Sequence, residues 1–348
     1  MKAVFLTGLE KMEVHDVPPP RLSEPRDVLL RVDTLGVCGS DIHYYRQGRI
    51  GPQRVEFPLI LGHELAATVV ETGAGAHGLR PGQRVAIDPL VACGECDQCR
   101  AGRRHTCRNQ RFLGNPGQLP GALAEYLVMP AECCTAIPDS LSDDQAALVE
   151  PLSIGLYAAR MAQLAPGARV GVIGSGPIGL CTLLAIRALS PATVYATDLV
   201  EGRVSAARAG GAVWAGNPHR EDVAAAIRAR EPLGLDAIFE CAGEQDALDQ
   251  AIPLLKPGGT LLIIGIPEID RVSFDISLLR RQELRILNVR RQNDCMAGAI
   301  DLIASSRVEV RPLVTHRFRL EETARAFELV SSRSEGVLKA VIRISPEG

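Results

Sequence analysis

The stretch from Val170 to Asp198 limits the possible folds of this chain more than any other. It reads Val170-Gly171-Val172-Ile173-Gly174-Ser175-Gly176-Pro177-Ile178-Gly179, then an apolar run rich in Leu, Ala and Ile, then Ala192-Thr193-Val194-Tyr195-Ala196-Thr197-Asp198. The first β-branched run is what a strand buried on both faces needs. It breaks into Gly-x-Gly-x-x-Gly at Gly174, Gly176 and Gly179, and a helix is predicted from there to about Leu189. A second β-branched run ends in an acid, Asp198, 19 residues after Gly179. Gly174 allows a tight turn, Gly176 lets backbone approach a pyrophosphate, and Gly179 lets the helix pack close to the strand. The start of the helix, at Pro177 and Ile178, offers free N–H groups and a positive dipole to phosphates. Asp198 can accept hydrogen bonds from a ribose diol and would repel a 2′-phosphate. No arginine directly follows it, so the pattern favours NAD over NADP. The glycine motif alone is weak, but strand, glycines, helix, strand and acid in this order read as a dinucleotide site.

With 348 residues there is material for about two domains. The hydrophobic and charged fractions, 46% and 23%, are those of an ordinary globular protein. A net charge of −3 leaves no basic footprint for nucleic acid. Apolar runs such as Leu261-Leu262-Ile263-Ile264 are too short to span a bilayer, so no membrane partner is expected. Met1-Lys2-Ala3-Val4-Phe5 runs straight into a strand-like segment rather than a signal peptide. The expected location is therefore cytoplasmic, where ten cysteines are better read as metal ligands than as disulfides.

Three segments of the first half carry chemistry. In Gly36-Val37-Cys38-Gly39-Ser40-Asp41-Ile42-His43-Tyr44-Tyr45 a thiol, a hydroxyl, an acid and an imidazole lie within six residues. Taken alone, this is ordinarily a turn with a half-buried cysteine. His63 and Glu64 open an apolar β-rich run after Gly62. Strand neighbours point to opposite faces, so the two share a site most easily at a bend, which Gly62 can supply; a surface His-Glu pair is the plain alternative. The most specific signal is Cys93-x2-Cys96-x2-Cys99-x7-Cys107. Four thiolates on one short loop, within a lobe of about residues 88–112, match a closed structural zinc site. The spacing matches none of the ferredoxin runs, which leaves an iron–sulfur cluster as the lesser alternative. Cys133 and Cys134 fit no ligand spacing. Glu150, before Pro151, would by default be solvated, but Leu148, Val149 and Leu152 around it argue for an inward carboxylate that needs a partner.

From about Ser153 to Val289 strands and helices alternate. Strands are predicted at 169–173, 193–197, 237–240, 260–265 and 284–289, with helices at 179–189, 201–209, 221–230 and 246–254. This predicts an α/β doubly wound parallel sheet with its ligand at the carboxyl ends of the strands. Cys241-Ala242-Gly243 and Gly265-Ile266-Pro267 fall just past strand ends and are candidate walls for a nicotinamide. The tail returns to a helix at 294–305, an extended run at 312–318, a helix at 320–331 and a closing strand at 339–344. That strand has no place in the nucleotide unit and is expected to complete the N-terminal β-structure.

Together these residues resemble the zinc-dependent medium-chain dehydrogenases over nearly the whole chain. The carriers are Gly36-Val37-Cys38-Gly39-Ser40-Asp41, Gly62-His63-Glu64, the four-cysteine lobe, the Gly174–Gly179 loop and Asp198. His43-Tyr44-Tyr45, Gly48-Arg49-Ile50-Gly51, Glu150-Pro151-Leu152-Ser153 and Val314-Thr315-His316-Arg317-Phe318 are most similar to the sorbitol (L-iditol) and polyol dehydrogenase group. The resemblance implies a GroES-like β-barrel catalytic domain (residues 1–153 and 290–348) and a Rossmann NAD-binding domain (154–289), with the active site in the cleft between them. It implies two zinc ions per chain. Cys38, His63 and Glu64 hold the catalytic one; Glu150 is a further ligand or holds its water, and members of the family differ on which glutamate touches the metal. Cys93, Cys96, Cys99 and Cys107 hold the structural one. Tyr44, Phe112, Asn115 and Arg291 line the substrate pocket. Arg203, Val289 and Arg290 join the glycine loop, Asp198, Cys241, Ala242, Gly265 and Ile266 around NAD. Some sorbitol dehydrogenases carry a tyrosine where this chain has Gln292, and some lack the four-cysteine lobe.

The implied reaction takes a hydride from a secondary alcohol of a polyol to NAD and gives a ketose. Zinc acts as the Lewis acid at the hydroxyl oxygen, and the proton leaves through Ser40, the nicotinamide ribose and His43. The rival readings are an L-threonine 3-dehydrogenase, a butanediol dehydrogenase, or a nucleotide-binding structural protein without turnover. The resemblance implies a homo-oligomer, a tetramer before a dimer.

Overall fold

The Val170–Asp198 pattern folds as strand Arg169–Ile173, helix Pro177–Leu189 and strand Thr193–Thr197 in the computed structural model, which describes residues 1–345. Six strands form one sheet in the order Trp214–Gly216, Thr193–Thr197, Arg169–Ile173, Leu235–Glu240, Leu255–Ile263 and Arg285–Asn288. All neighbours are parallel. The strands thus run third, second, first, fourth, fifth, sixth, the order of a doubly wound dinucleotide-binding sheet. Ile173, Tyr195, Ile238 and Leu261 from the strands and Leu248 from a covering helix share one apolar core.

Two glycines are required by close packing. A Cβ on Gly179 would lie 1.8 Å from the Gly174 carbonyl oxygen, and one on Gly174, where φ is +87°, would lie 2.7 Å from the Ala242 nitrogen. Gly176 is different: its Cβ would meet only the Arg203 guanidinium, at 3.5 Å, so the space over it is open to something other than protein.

The other unit is organised on the long strand Asp27–Gly36. It pairs antiparallel with Glu64–Thr72, Tyr126–Pro130 and Lys339–Arg343. Arg84–Ile87 and Cys134–Ala136 extend the sheet beyond Glu64–Thr72, and Val314–Arg319 runs parallel to the C-terminal strand at the other end. The core of this unit takes Leu30, Val32 and Leu35 from the central strand, Leu65 and Val69 from its neighbour, and Ile342 from the C-terminal strand. The chain's last strand therefore sits beside its first long one.

By compactness the units divide as Met1–Glu150 with the chain from Met296 onward, and Pro151–Cys295. The sequence-based boundaries lie three residues later at the first junction and six earlier at the second. The cause is local. Arg160, on helix Val149–Ala162, donates to the Asp294 carbonyl (3.3 Å) and lies 3.3 Å from Cys295 Sγ, which ties residues 290–295 to the nucleotide-binding side.

The strand predicted at 260–265 occupies Leu255–Ile263 instead, because Leu235 already pairs with Leu255 and the Pro257-Gly258-Gly259 turn is absorbed as an irregularity. Trp214–Gly216 and helix Ile276–Gln282 were not predicted. The strand is only three residues long and exists through its pairing with Thr193–Thr197, and the helix depends on the Asp275 cap on the Leu278 N–H at 3.0 Å.

Gly179→Ala should cost the nucleotide-binding unit about 1–3 kcal/mol, because the clash is with backbone. Urea unfolding followed by fluorescence of Trp214 checks this, and an unchanged midpoint would contradict it.

Candidate active site and metal centres

Cys38 ends the turn after strand Asp27–Gly36 and is the N-cap of helix Gly39–Gln47. Its backbone N–H donates to Asp41 Oδ2 at 3.2 Å, and the Ser40 hydroxyl lies 3.2 Å from its sulfur. Ser40 and His43 are three residues apart on this helix and so share a face. Gly62 adopts φ +96°, which provides the bend needed before His63 and Glu64. His63 Nδ1 is 3.4 Å from the other Asp41 oxygen, Oδ1, and the ring packs edge-on against Phe112 at 5.3 Å between centroids. A carboxylate behind the imidazole fixes the ring and leaves Nε2 as the outward donor.

Burial dominates the electrostatics. It pushes the Cys38 thiol up, the Glu64 charge adds to this, and His63 and Lys339 oppose it. Burial alone would deprotonate His63, but the Asp41 and Cys38 charges outweigh it and hold the ring well above the usual histidine range. Burial pushes Glu150 up to about 7; His63 opposes this, while Glu64 and Asp88 reinforce it. These groups keep the protons that a divalent cation would displace. Glu64 is fully buried. Its Oε2 accepts from Lys339 Nζ at 2.6 Å, and its Oε1 accepts no hydrogen bond among the described residues. Sulfur, imidazole and carboxylate oxygen form a donor set suited to zinc, so the residues fit that metal.

The four-cysteine lobe is tighter. It loops out from the short ladder of Leu90–Val91 with Arg111–Phe112. Its Sγ–Sγ separations are 3.6 Å (Cys96–Cys99), 3.9 Å (Cys96–Cys107) and 3.5 Å (Cys93–Cys107). A tetrahedron with zinc–sulfur bonds of about 2.3 Å has edges of about 3.8 Å. A disulfide would need about 2.05 Å, and all ten cysteines are free. Backbone donors at Arg108 and Cys99 lower Cys96 to about 6, while desolvation and the neighbouring Cys96 and Cys107 thiols raise Cys99 to about 12. Four sulfurs this close cannot all ionise without a cation among them. Among the described residues this is the only set whose ligand atoms all lie within 4.8 Å; Cys38, His63, Glu64 and Glu150 are gathered more loosely.

Tyr44 reaches Asn115 Oδ1 at 3.4 Å and Gln53 Oε1 at 3.3 Å, and Phe112 lies against His63, so three of the four predicted pocket residues come together. Arg291 belongs to the other unit and takes a left-handed φ of 53°. The neighbouring Gln292 is buried, and its Oε1 accepts from the Cys295 N–H at 2.8 Å.

The predicted cofactor residues meet at the carboxyl ends of the parallel strands. Gly174 abuts Cys241 and Ala242, and Gly265 abuts Gly243. The Val289 N–H donates to Ile263 O, and Arg290 follows it. Ile266 is half exposed. Asp198 accepts from the Ser175 N–H at 2.8 Å through Oδ2 and from the Val200 N–H at 2.9 Å through Oδ1, which fixes its carboxylate at the end of its strand. Arg203 Nη1 lies 4.0 Å from Asp198 Oδ2.

Four residues that matter here have no role assigned from sequence. Asp41 had a signal, its place three residues into a helix begun by Cys38. Gln53, Glu240 and Lys339 had none. Glu240 Oε1 takes the Ala242 and Gly243 N–H groups at 2.7 and 2.6 Å and so shapes the loop after its strand.

Residues 24–139 match the alcohol dehydrogenase GroES-like domain, and residues 177–305 match the zinc-binding dehydrogenase family. The chain is 34% identical to a sorbitol dehydrogenase of Bacillus subtilis (strain 168), covering 98% of this chain and 97% of the relative. It is 37% identical to a sorbitol dehydrogenase of Gallus gallus, covering 99% and 96%. This chain belongs to the zinc-dependent medium-chain alcohol dehydrogenases. It is an oxidoreductase of that family, a GroES-like unit joined to a Rossmann-type unit, and is most like the sorbitol dehydrogenase group. A zinc-binding dehydrogenase from Sinorhizobium meliloti 1021, solved bound to NADP, superposes with a TM-score of 0.89 at 30% identity, covering 98% of each chain. No helix among the described residues is long and apolar enough to cross a membrane.

In metal-free protein Glu150 takes its proton at about 7 when folded and near 4.5 when unfolded. Between these values the folded state binds more protons, so stability falls as pH rises through the window. Glu150→Gln should flatten that fall, on the order of 1–3 kcal/mol across the window. Urea unfolding of chelator-treated protein between pH 4.5 and 8 checks it, and parallel curves for the two proteins would contradict it.

Proposed function

We propose that this enzyme oxidises a secondary alcohol of a polyol such as sorbitol, L-iditol or xylitol to the ketose, with NAD as acceptor. The observation that carries the reading is the arrangement of half-buried Cys38 with buried His63 and Asp41, and Ser40 on the sulfur, in a chain of the sorbitol dehydrogenase group. Cys38, His63 and one of Glu64 and Glu150 would hold a catalytic zinc, and Cys93, Cys96, Cys99 and Cys107 a second, structural one. When bound, zinc supplies a Lewis acid for a hydroxyl oxygen and NAD supplies the hydride acceptor.

The chain's own residues do the rest. Asp41 keeps His63 oriented, and Cys38 and His63 release their protons when the site is loaded. Ser40 takes the hydroxyl proton and His43, on the same helix face, delivers it outward. Phe112 closes one wall against His63. Tyr44 and Asn115, with Gln53, offer polar partners to a polyhydroxylated chain, and Arg291 adds a donor for a further hydroxyl. Gln292 is occupied by the Cys295 N–H, which supports leaving it out of substrate recognition. Asp198 would take the adenosine ribose diol, with Gly174, Gly176, Pro177, Ile178 and Gly179 at the pyrophosphate. Cys241, Ala242, Gly265, Ile266, Val289 and Arg290 would flank the nicotinamide half. We read the protein as a cytoplasmic homo-oligomer, with a tetramer favoured.

Three measurements test this reading. On a panel of sorbitol, xylitol, L-iditol, galactitol, 2,3-butanediol and L-threonine, followed by NADH absorbance, a polyol should have the highest kcat/KM; turnover of threonine or butanediol alone would overturn the substrate class. Metal analysis should give two zinc ions per chain, falling to one in Cys38→Ser with NAD binding kept, and Ser40→Ala should lower kcat by about 10²-fold or more. Asp198→Ala leaves Arg203 in place and should move the NAD/NADP preference toward NADP by roughly tenfold, about 1.4 kcal/mol; an unchanged preference would remove the argument for NAD.

A further inference from the structure

Lys339 lies on the C-terminal strand, yet its ammonium group ends beside the candidate catalytic metal site. Its side chain is 2% exposed. Nζ donates to Glu64 Oε2 at 2.6 Å and to the Val37 carbonyl at 3.1 Å. The register of the sheet makes this possible. Gly36 pairs with Glu64 on one side and Val341 on the other, and the Val37 N–H donates to Ala340 O. A Cβ at Gly36 would lie 2.5 Å from Glu64 Oε2, so only glycine leaves room for the carboxylate to cross to Lys339.

A buried lysine is expensive unless paired, so this one is held to Glu64 and the Val37 carbonyl. The pairing has two consequences at the site. Glu64 keeps one oxygen on Lys339 and can present only Oε1, which accepts no hydrogen bond among the described residues. Val37, whose carbonyl Lys339 also holds, is bonded to Cys38. One cation thus fixes the carboxylate beside His63 and the backbone beside the thiol.

We propose that Lys339 is a positioning residue of the catalytic metal centre, restraining Glu64 to a one-oxygen role and setting the metal affinity of the Cys38–His63–Glu64 group from the last strand of the chain. This rests on the reading of that group as a zinc site. Lys339 acts through Glu64 and the Val37 carbonyl and need not touch metal, substrate or cofactor.

The test is a double-mutant cycle on the full chain, read by zinc affinity in competition with a chromogenic chelator. Cobalt-substituted protein gives the absorption of the ligand field as a second readout. Lys339→Met should weaken the catalytic site about 10–100-fold and shift the cobalt spectrum, while the four-cysteine zinc stays in place. In a Glu64→Ala background the same change should add little, since Lys339 acts through Glu64. Lys339→Gln, which keeps a donor, should fall between; it serves for the cycle if the methionine variant does not fold. Unchanged affinity and spectrum, or losses that simply add, would overturn the proposal. A wild-type protein whose zinc content is not lowered by Cys38→Ser would overturn the metal-site reading itself, a distinguishable result.

Discussion

The structure depends on a cost that protein interiors rarely bear: several ionisable groups buried together. Asp41, His63, Glu64, Glu150 and Lys339 are each nine-tenths or more buried in one unit, with Cys38 beside them. Charges taken out of water destabilise a fold unless each finds a partner. Here the partners come from four separated stretches of chain, and the sheet register brings them together. Gly36 lies between two strands as the gap through which Glu64 and Lys339 meet. The remaining imbalance, a thiol, an imidazole and the Glu150 carboxyl that hold their protons, is what a divalent cation resolves.

The two metal-suited groups solve different problems. The Cys93–Cys107 lobe has few apolar side chains and buries little, so its sulfurs must supply the cohesion; they already stand at tetrahedral spacing. The Cys38 group belongs to elements that fold on their own apolar core. It can therefore stay looser, with donors shared among Asp41, Ser40 and Lys339. Tight closure suits a structural role, and looseness leaves room for a ligand that comes and goes.

Much of this was legible in the chain. The strand–glycine–helix–strand–acid order gives the first strand, helix and second strand of the nucleotide-binding sheet nearly to the residue, because Gly174 and Gly179 have steric roles that no other residue fills. The four-cysteine spacing is local and so readable. The grouping of Cys38, His63 and Glu150 is an expectation from resemblance alone, since nothing in their separate surroundings links them. Asp41 was half visible as a helix-start acid. Lys339 was not visible at all, since a lysine in a closing strand looks solvated until the register is known. Trp214–Gly216 escaped for a related reason: three residues carry no period, and only pairing makes them a strand. Residues 290–295 group with the nucleotide-binding unit by compactness, through Arg160 contacts that span more than a hundred positions and leave no local signal.

The placement of the final strand has a consequence for how the molecule is made. The nucleotide-binding unit is one continuous segment and is released from the ribosome whole. The sheet beside Gly36 stays without its neighbour until strand Lys339–Arg343 has emerged. For that interval Glu64 lacks the Lys339 ammonium. Maturation of the candidate metal centre therefore waits on strand Lys339–Arg343, and a chain cut before that strand would keep a nucleotide-binding unit attached to an unfinished sheet.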